Sequence, residues 1–256
     1  MTIFVAVCLA QAELKPFDAC LAAHARLQAS AANVQKFIHA GPKKRSLTYD
    51  LQYRRPDDAL LRIRSGSPTM DRSILVAGSK GVVYDRRNES VSQAQVDARS
   101  SLGSRLGTLS GAPDEIVLSL VDPAQMKGFL TGFRQLGGWA TTTSASVITM
   151  RRVQTTGSRK TTATFKFGAT DGLIRDFELV EGDSSEHWIV SYAAAPAKLS
   201  LSVPASAAKL GSSDQVRPLP AFSSPEAKRL WAECIATYGR LKSVSFQVSD
   251  RGQDIS

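Results

Sequence analysis

Between Leu47 and Tyr53 apolar and polar residues alternate strictly, with Leu47, Tyr49, Leu51 and Tyr53 on one side and Thr48, Asp50 and Gln52 on the other. This period of two marks a strand with one face on a core and one in water. Carried one step further, the apolar face presents Arg55, directly before Pro56. Proline lacks the ladder donor and holds the preceding residue extended, so pairing should break here. The residue reads either as a rim arginine, its stem covering apolar surface and its head in water, or as a polar latch at the mouth of an apolar cavity. Beyond the corner, Ala59, Leu61 and Ile63 alternate with Leu60, Arg62 and Arg64 as a second strand. Ile74–Ala77 and Val82–Tyr84 then flank the tight turn Gly78–Gly81 and form a hairpin.

Upstream, Phe17, Cys20, Leu21, His24 and Leu27 fall on one face of a helix. Trp231, Cys234, Ile235, Tyr238 and Leu241 repeat that face, and Val244, Phe246 and Val248 alternate after it as a strand. A repeat at domain-sized offset predicts a second copy of the same domain, starting near Pro225 and cut off at Ser256. In that case Cys20 and Cys234 each pack into their own core, and His24, replaced by Tyr238, is a packing residue.

From Ser92 to Leu136 the period becomes helical. One short helix starts at Gly111–Glu115; another starts at Asp122, with Asp as N-cap, Pro123 in the first turn and Gln125 three residues on. The second carries the stripe Met126, Phe129, Leu130, Phe133 and Leu136, and Gly137-Gly138 ends it. From Trp139 to Val203 strands return: Ala163, Phe165 and Phe167; Leu173, Phe177 and Leu179 after the turn Thr170–Gly172; Trp188, Val190 and Tyr192; and Leu199, Leu201 and Val203. Short turns between strands with one apolar face each predict an antiparallel sheet. The Pro-rich stretch after Ala205 marks a linker. The expected organisation is a leader over 1–12, a domain over 13–208, a linker over 209–224 and a truncated second copy over 225–256.

The leader expectation rests on the apolar run from Met1 to Ala12, closed by the small-x-small pattern Ala10-Gln11-Ala12, which predicts export. A net charge of +9 suits an anionic surface, but no basic-and-aromatic motif points to nucleic acid. Catalytic constellations are scarce. His24, His39 and His187 lack metal-ligand spacing, and Ser206-Ala-Ala-Lys209 fits a Ser-x-x-Lys pattern only within the linker. Gly157–Thr161 joins strand to strand with no helix behind it, which makes it a hairpin turn rather than a phosphate loop. No catalytic residue, metal ligand or cofactor is expected. An antiparallel sheet with one apolar face must be covered. Helices rich in Phe and Met, as here, can leave a cavity or fill it.

Several stretches together resemble the periplasmic lipoprotein-carrier superfamily (LolA/LolB-like). They are Arg55-Pro56 closing a strand, Ser73–Lys80 leading to Val83–Asp85, Asp171–Glu181, and the closing Leu199–Pro204. The resemblance implies an α+β fold, an incomplete antiparallel β-barrel whose concave apolar face is covered by helices. It implies an exported carrier holding acyl chains of lipids or lipoproteins, with membrane donor and acceptor proteins as partners. It assigns Arg55 as the latch on the helical lid. The expected acyl-chain cavity is lined by Tyr49, Leu51, Tyr53, Leu61, Ile63, Met126, Phe129, Leu130, Phe133, Phe165, Phe167, Phe177 and Trp188. A cell-envelope regulatory or structural interaction module on the same fold is the alternative.

Overall fold

The computed structural model describes residues 2–66, 71–110 and 114–209, with side chains from residue 14 to 207 within those spans. The expected second copy over 225–256, and the linker beyond Lys209, lie outside the described residues. Twelve strands form one sheet: β1 (Ala29–Ala40), β2 (Lys43–Arg54), β3 (Asp58–Ser65), β4 (Arg72–Ala77), β5 (Lys80–Asp85), β6 (Ser90–Gln95), β7 (Ala140–Thr143), β8 (Val147–Thr156), β9 (Arg159–Gly168), β10 (Ile174–Glu181), β11 (Ser184–Ala193) and β12 (Ala208–Lys209). Their order is β12-β6-β5-β4-β3-β2-β1-β11-β10-β9-β8-β7. Every pairing is antiparallel except β12 with β6. The edges β12 and β7 do not pair, so the barrel stays open. The fold is α+β, an open antiparallel half-barrel covered by helices.

The two halves of the sheet meet at β1 and β11, from Ala31 opposite Ala193 to Ala40 opposite Ser184. Register follows the alternation. Tyr49, Leu51 and Tyr53 of β2 are buried, and Tyr49 lies opposite Val34 of β1 and Ile63 of β3. Pairing stops at Arg54 opposite Asp58, as the Arg55-Pro56 corner requires. Glycines with positive φ close the turns at Gly41, Gly78, Gly157 and Gly182. Gly172, with φ +70, is further constrained: a Cβ there would lie 3.1 Å from the backbone oxygen of Ala19.

Four helices, α1 (Thr2–Arg26), α2 (Leu102–Ser110), α3 (Glu115–Val121) and α4 (Pro123–Arg134), cover the concave face. On α1, Phe17, Cys20, Ala23 and His24 are buried, and Phe17 sets its ring edge-on against Trp139, Phe165 and Phe167. From Ile116 to Val121 every residue of α3 is buried. The α4 N-terminus is built as its sequence requires. Asp122 accepts from the amides of Ala124 and Gln125, Pro123 occupies the first turn, and the left-handed Gly137 and Gly138 follow its end. The side chain of Gln125 reaches Ser104 of α2 rather than folding back on the cap.

Two stretches differ from expectation. Residues 90–95, which run into the span expected to be helical from Ser92, form β6, because its backbone groups pair with β5 from Lys80 opposite Gln95 to Asp85 opposite Ser90. The polar sequence Ser-Val-Ser-Gln-Ala-Gln carries little periodicity, and ladder pairing decides its conformation. Leu199, Leu201 and Val203 form no strand. Their segment is fastened by side chains instead: Arg54 donates to the Pro196 carbonyl at 2.8 Å and Arg62 to that of Ser200 at 3.5 Å.

Candidate functional site: the α3 bolt and the apolar cavity beside it

The two ends of α3 are fastened to the sheet by charged side chains of opposite sign. At its C-terminal end, Arg55 donates through Nε to the Val121 carbonyl at 2.8 Å and through Nη2 to that of Leu120 at 3.2 Å. The same guanidinium donates through Nη1 to His24 and Leu27 at the end of α1, at 2.7 and 2.6 Å. Terminal helix carbonyls lack intrahelical partners and carry the negative end of the helix dipole, so one cation here satisfies two helices. Arg55 also sits 5.2 Å from the Tyr53 ring centroid. Burial lowers its pKa, opposed by nearby Tyr53 and Asp122. An arginine wetting its head in solvent would not make four bonds to buried carbonyls.

At the N-terminal end, Asp114 caps α3 by accepting from the Ile116 amide at 3.2 Å. Its carboxylate also accepts from Lys36 Nζ of β1 at 2.9 Å and from Trp188 Nε1 of β11 at 3.1 Å. Lys36 pairs as well with Glu186 at 2.9 Å and lies 4.6 Å from the Trp188 ring centroid. Burial lowers the Lys36 pKa, but hydrogen bonds to Asp114 and Glu186 outweigh it and leave the ammonium held charged. The Asp114 side chain is 5 % exposed, so this is a desolvated junction rather than a surface pair.

Beside this junction lies a cavity of about 550 Å³, lined by Lys36, Asp114, Glu115, Ile116, Gly128, Phe129, Gly132, Phe133, Leu136, Phe177, Leu179, Glu186 and Trp188. That volume falls within the range of small-molecule sites. Two exposed glycines on one face of α4 border it, and a Cβ on Gly128 or Gly132 would meet nothing within 4 Å. Of the residues expected to line an acyl site, Phe129, Phe133, Phe177 and Trp188 line this cavity. Tyr49, Leu51, Tyr53, Leu61, Met126, Leu130, Phe165 and Phe167 are instead buried core packed with the helices, with Ile63 packed against that core. Aromatic rings pack part of α4 directly onto the sheet, as in Phe133 against Phe165 at 5.0 Å and Phe129 against Phe177 at 5.6 Å.

The Arg55 expected as a latch on the helical lid does bond to the covering helices, at a distance from the cavity. Arg55 does not line this cavity. It binds α3 at the end opposite Asp114, about 10 Å away along seven residues of helix. The guanidinium therefore holds the far end of the bolt, while Lys36, Asp114 and Glu186 line the cavity at the near end.

A second arginine, this one fully buried, supports the corner and has no signal in the local pattern. Arg105 of α2, 3 % exposed, donates to the carbonyls of Gly78 in the β4–β5 turn, at 2.7 Å, and of Pro56. The Arg55-Pro56 corner thus ties three helices: through Arg55 to α1 and α3, and through the Pro56 carbonyl to α2. Nearby, His24 and Cys20 are core residues, as their helix face predicts. Burial, with Arg55 close by, lowers the His24 pKa to about 4, and the ring lies 3.3 Å from the Tyr192 hydroxyl. Burial pushes the Cys20 thiol up to about 12. Among the described residues no group of three or more His, Cys, Asp or Glu could hold a metal, and no helix is long and apolar enough to cross a membrane.

No protein-family model and no curated protein matches the chain. Solved structures do. A LolA superfamily protein from Nitrosomonas europaea aligns over 74 % of this chain and 94 % of its own, at 9 % identity and TM-score 0.33. The MucA/MucB complex of Pseudomonas aeruginosa aligns over 73 % of this chain and 59 % of the matched one, at 11 % identity and TM-score 0.33. A DUF1329 family protein from Desulfovibrio piger aligns over 73 % and 94 %, at 10 % identity and TM-score 0.30. At that similarity, the strand order and the open edges of this chain carry the description of its half-barrel.

Proposed function

We propose that this chain is a non-catalytic, exported binding protein of the cell envelope, carrying apolar chains of lipids or lipoproteins in the cavity between α4 and β10-β11. The observation that carries this reading is the paired absence of side chains at Gly128 and Gly132. In a helix each glycine costs about 1 kcal/mol relative to alanine, so two of them on the exposed border of one apolar cavity suit an entrance left unobstructed. Phe129, Phe133, Phe177 and Trp188 supply a wall that apolar chains wet and water does not. Longer chains would need more room than the cavity offers. They would gain it by displacing α3 and α4, whose hold on the sheet depends on Arg55 at one end and Lys36 at the other. Burying each further methylene contributes about 0.8 kcal/mol, so several methylenes offset the loss of an anchor. Arg55 is then a latch acting from the closed end.

The packed core beneath α3 favours a second reading, an interaction module that uses the same fold without cargo. Native mass spectrometry of the full chain purified from the cell envelope separates the two. Adducts with the masses of acyl lipids are expected for the carrier, and a bare chain would favour the module.

A further inference from the structure

We infer that the cargo of this cavity carries a cationic polar end. The inference rests on the cavity reading above and specifies which amphiphile it takes. The lining contains one cation, Lys36, and three carboxylates, Asp114, Glu115 and Glu186. Lys36 is already engaged and outnumbered: its ammonium donates to Asp114, pairs with Glu186 and rests over the face of Trp188. Glu115 is exposed, and the Glu186 side chain is 44 % exposed, so both have room for an incoming partner, while Trp188 and Phe177 behind them are buried. Lys36 itself demonstrates what this wall accepts, an ammonium held between carboxylates on an indole face. An apolar tail entering along Phe129 and Phe133 places its head among these acids. A carboxylate or phosphate head would meet an excess of like charge there, three carboxylates against one ammonium.

The local sign opposes the global one. With a net charge of +9, the chain as a whole attracts anions, so a preference for cations can only come from the mouth of the cavity. The test is isothermal titration of the full chain at low salt, below micelle formation, with decyltrimethylammonium, decanoate and the uncharged decyl maltoside, and with circular dichroism to show that the fold persists. Decyltrimethylammonium should bind at least about tenfold more tightly than decanoate, with the maltoside between them. In a Glu115→Gln/Glu186→Gln variant the two charged probes should converge, because two carboxylates are lost and Lys36 regains a free donor. Decanoate binding as tightly as the cation to the wild type, or an unchanged ratio in the variant, overturns this inference and leaves the cavity reading standing. Binding of none of the three overturns the cavity reading itself, and this inference with it.

Discussion

The Nε of Arg55 lies 2.8 Å from the carbonyl oxygen of Val121, the last residue of α3. The two are 66 positions apart, and the bond joins the end of a strand to the end of a buried helix. With Asp114 bound to Lys36 at the other end, α3 is a short bolt seated at both ends by charge, and the apolar cavity opens beside only one of them.

Replacing Arg55 with Leu leaves the terminal carbonyls of α1 and α3 without their donor. The expected cost is on the order of 3 kcal/mol, since a charge-assisted bond contributes about 1.5–3 kcal/mol and orphaned carbonyls add to the loss. Hydrogen exchange should speed selectively across residues 114–122 before the sheet amides respond. Arg55→Lys should recover only part of the loss, because an ammonium lacks the planar fork that reaches two helices at once. Uniform acceleration over the whole domain would show that Arg55 stabilises the fold without acting on α3.

At the other anchor, Asp114→Ala removes the N-cap and leaves Lys36 with Glu186 alone. Urea unfolding should show a loss of about 3 kcal/mol, the scale of a broken buried pair. Asp114→Asn, which keeps an oxygen acceptor for Ile116 and Trp188, should lose roughly half as much. Equal losses in the two variants would mean that the charge on Asp114 contributes nothing.

Stability should fall on mild acidification because of His24. Its folded pKa is depressed to about 4 from 6.5, so the folded state binds fewer protons than the unfolded chain between those values. The stabilisation is complete above the unfolded pKa and is lost as pH falls through that window. At about pH 5 the loss relative to neutrality is about 2 kcal/mol. His24→Phe should flatten this part of the profile, which urea titrations at the two pH values would reveal.

Cys20, with its thiol pushed up to about 12 by burial, should resist Ellman's reagent in the native state. In a Cys8→Ser/Cys234→Ser background, labelling should follow the unfolding of α1. Prompt reaction in native buffer would contradict the packing of α1 against Phe165 and Phe167.

The alternation through Leu47, Tyr49, Leu51 and Tyr53 was enough to read the core face of β2, and extending its phase by one step singled out Arg55. Asp122-Pro123 likewise announced the start of α4, because caps act within four residues. Interactions that span the chain left no comparable trace. Lys36 and Asp114 are 78 positions apart, and Trp188 lies 74 beyond Asp114, so their junction appears only once β1, β11 and α3 are assembled. Arg105 occupies a helix position where a solvated charge would look the same. The expected acyl site joined thirteen apolar residues from both layers, and four of them, Phe129, Phe133, Phe177 and Trp188, line the cavity, because its position depends on which side chains interlock across the layers. Periodicity marks a face as apolar; it does not say whether the opposite layer fills it.

The most direct test of the cavity is to fill it. Gly128→Leu and Gly132→Leu, singly and together, put side chains into open space and raise helix propensity by about 0.8 kcal/mol at each site, so the fold should be as stable as the wild type or more so. Equilibrium binding of an uncharged, environment-sensitive alkyl probe should show one site per chain in the wild type and at least about a tenfold loss of affinity in the double variant. A double variant that is equally stable and binds the probe as tightly as the wild type would contradict the account.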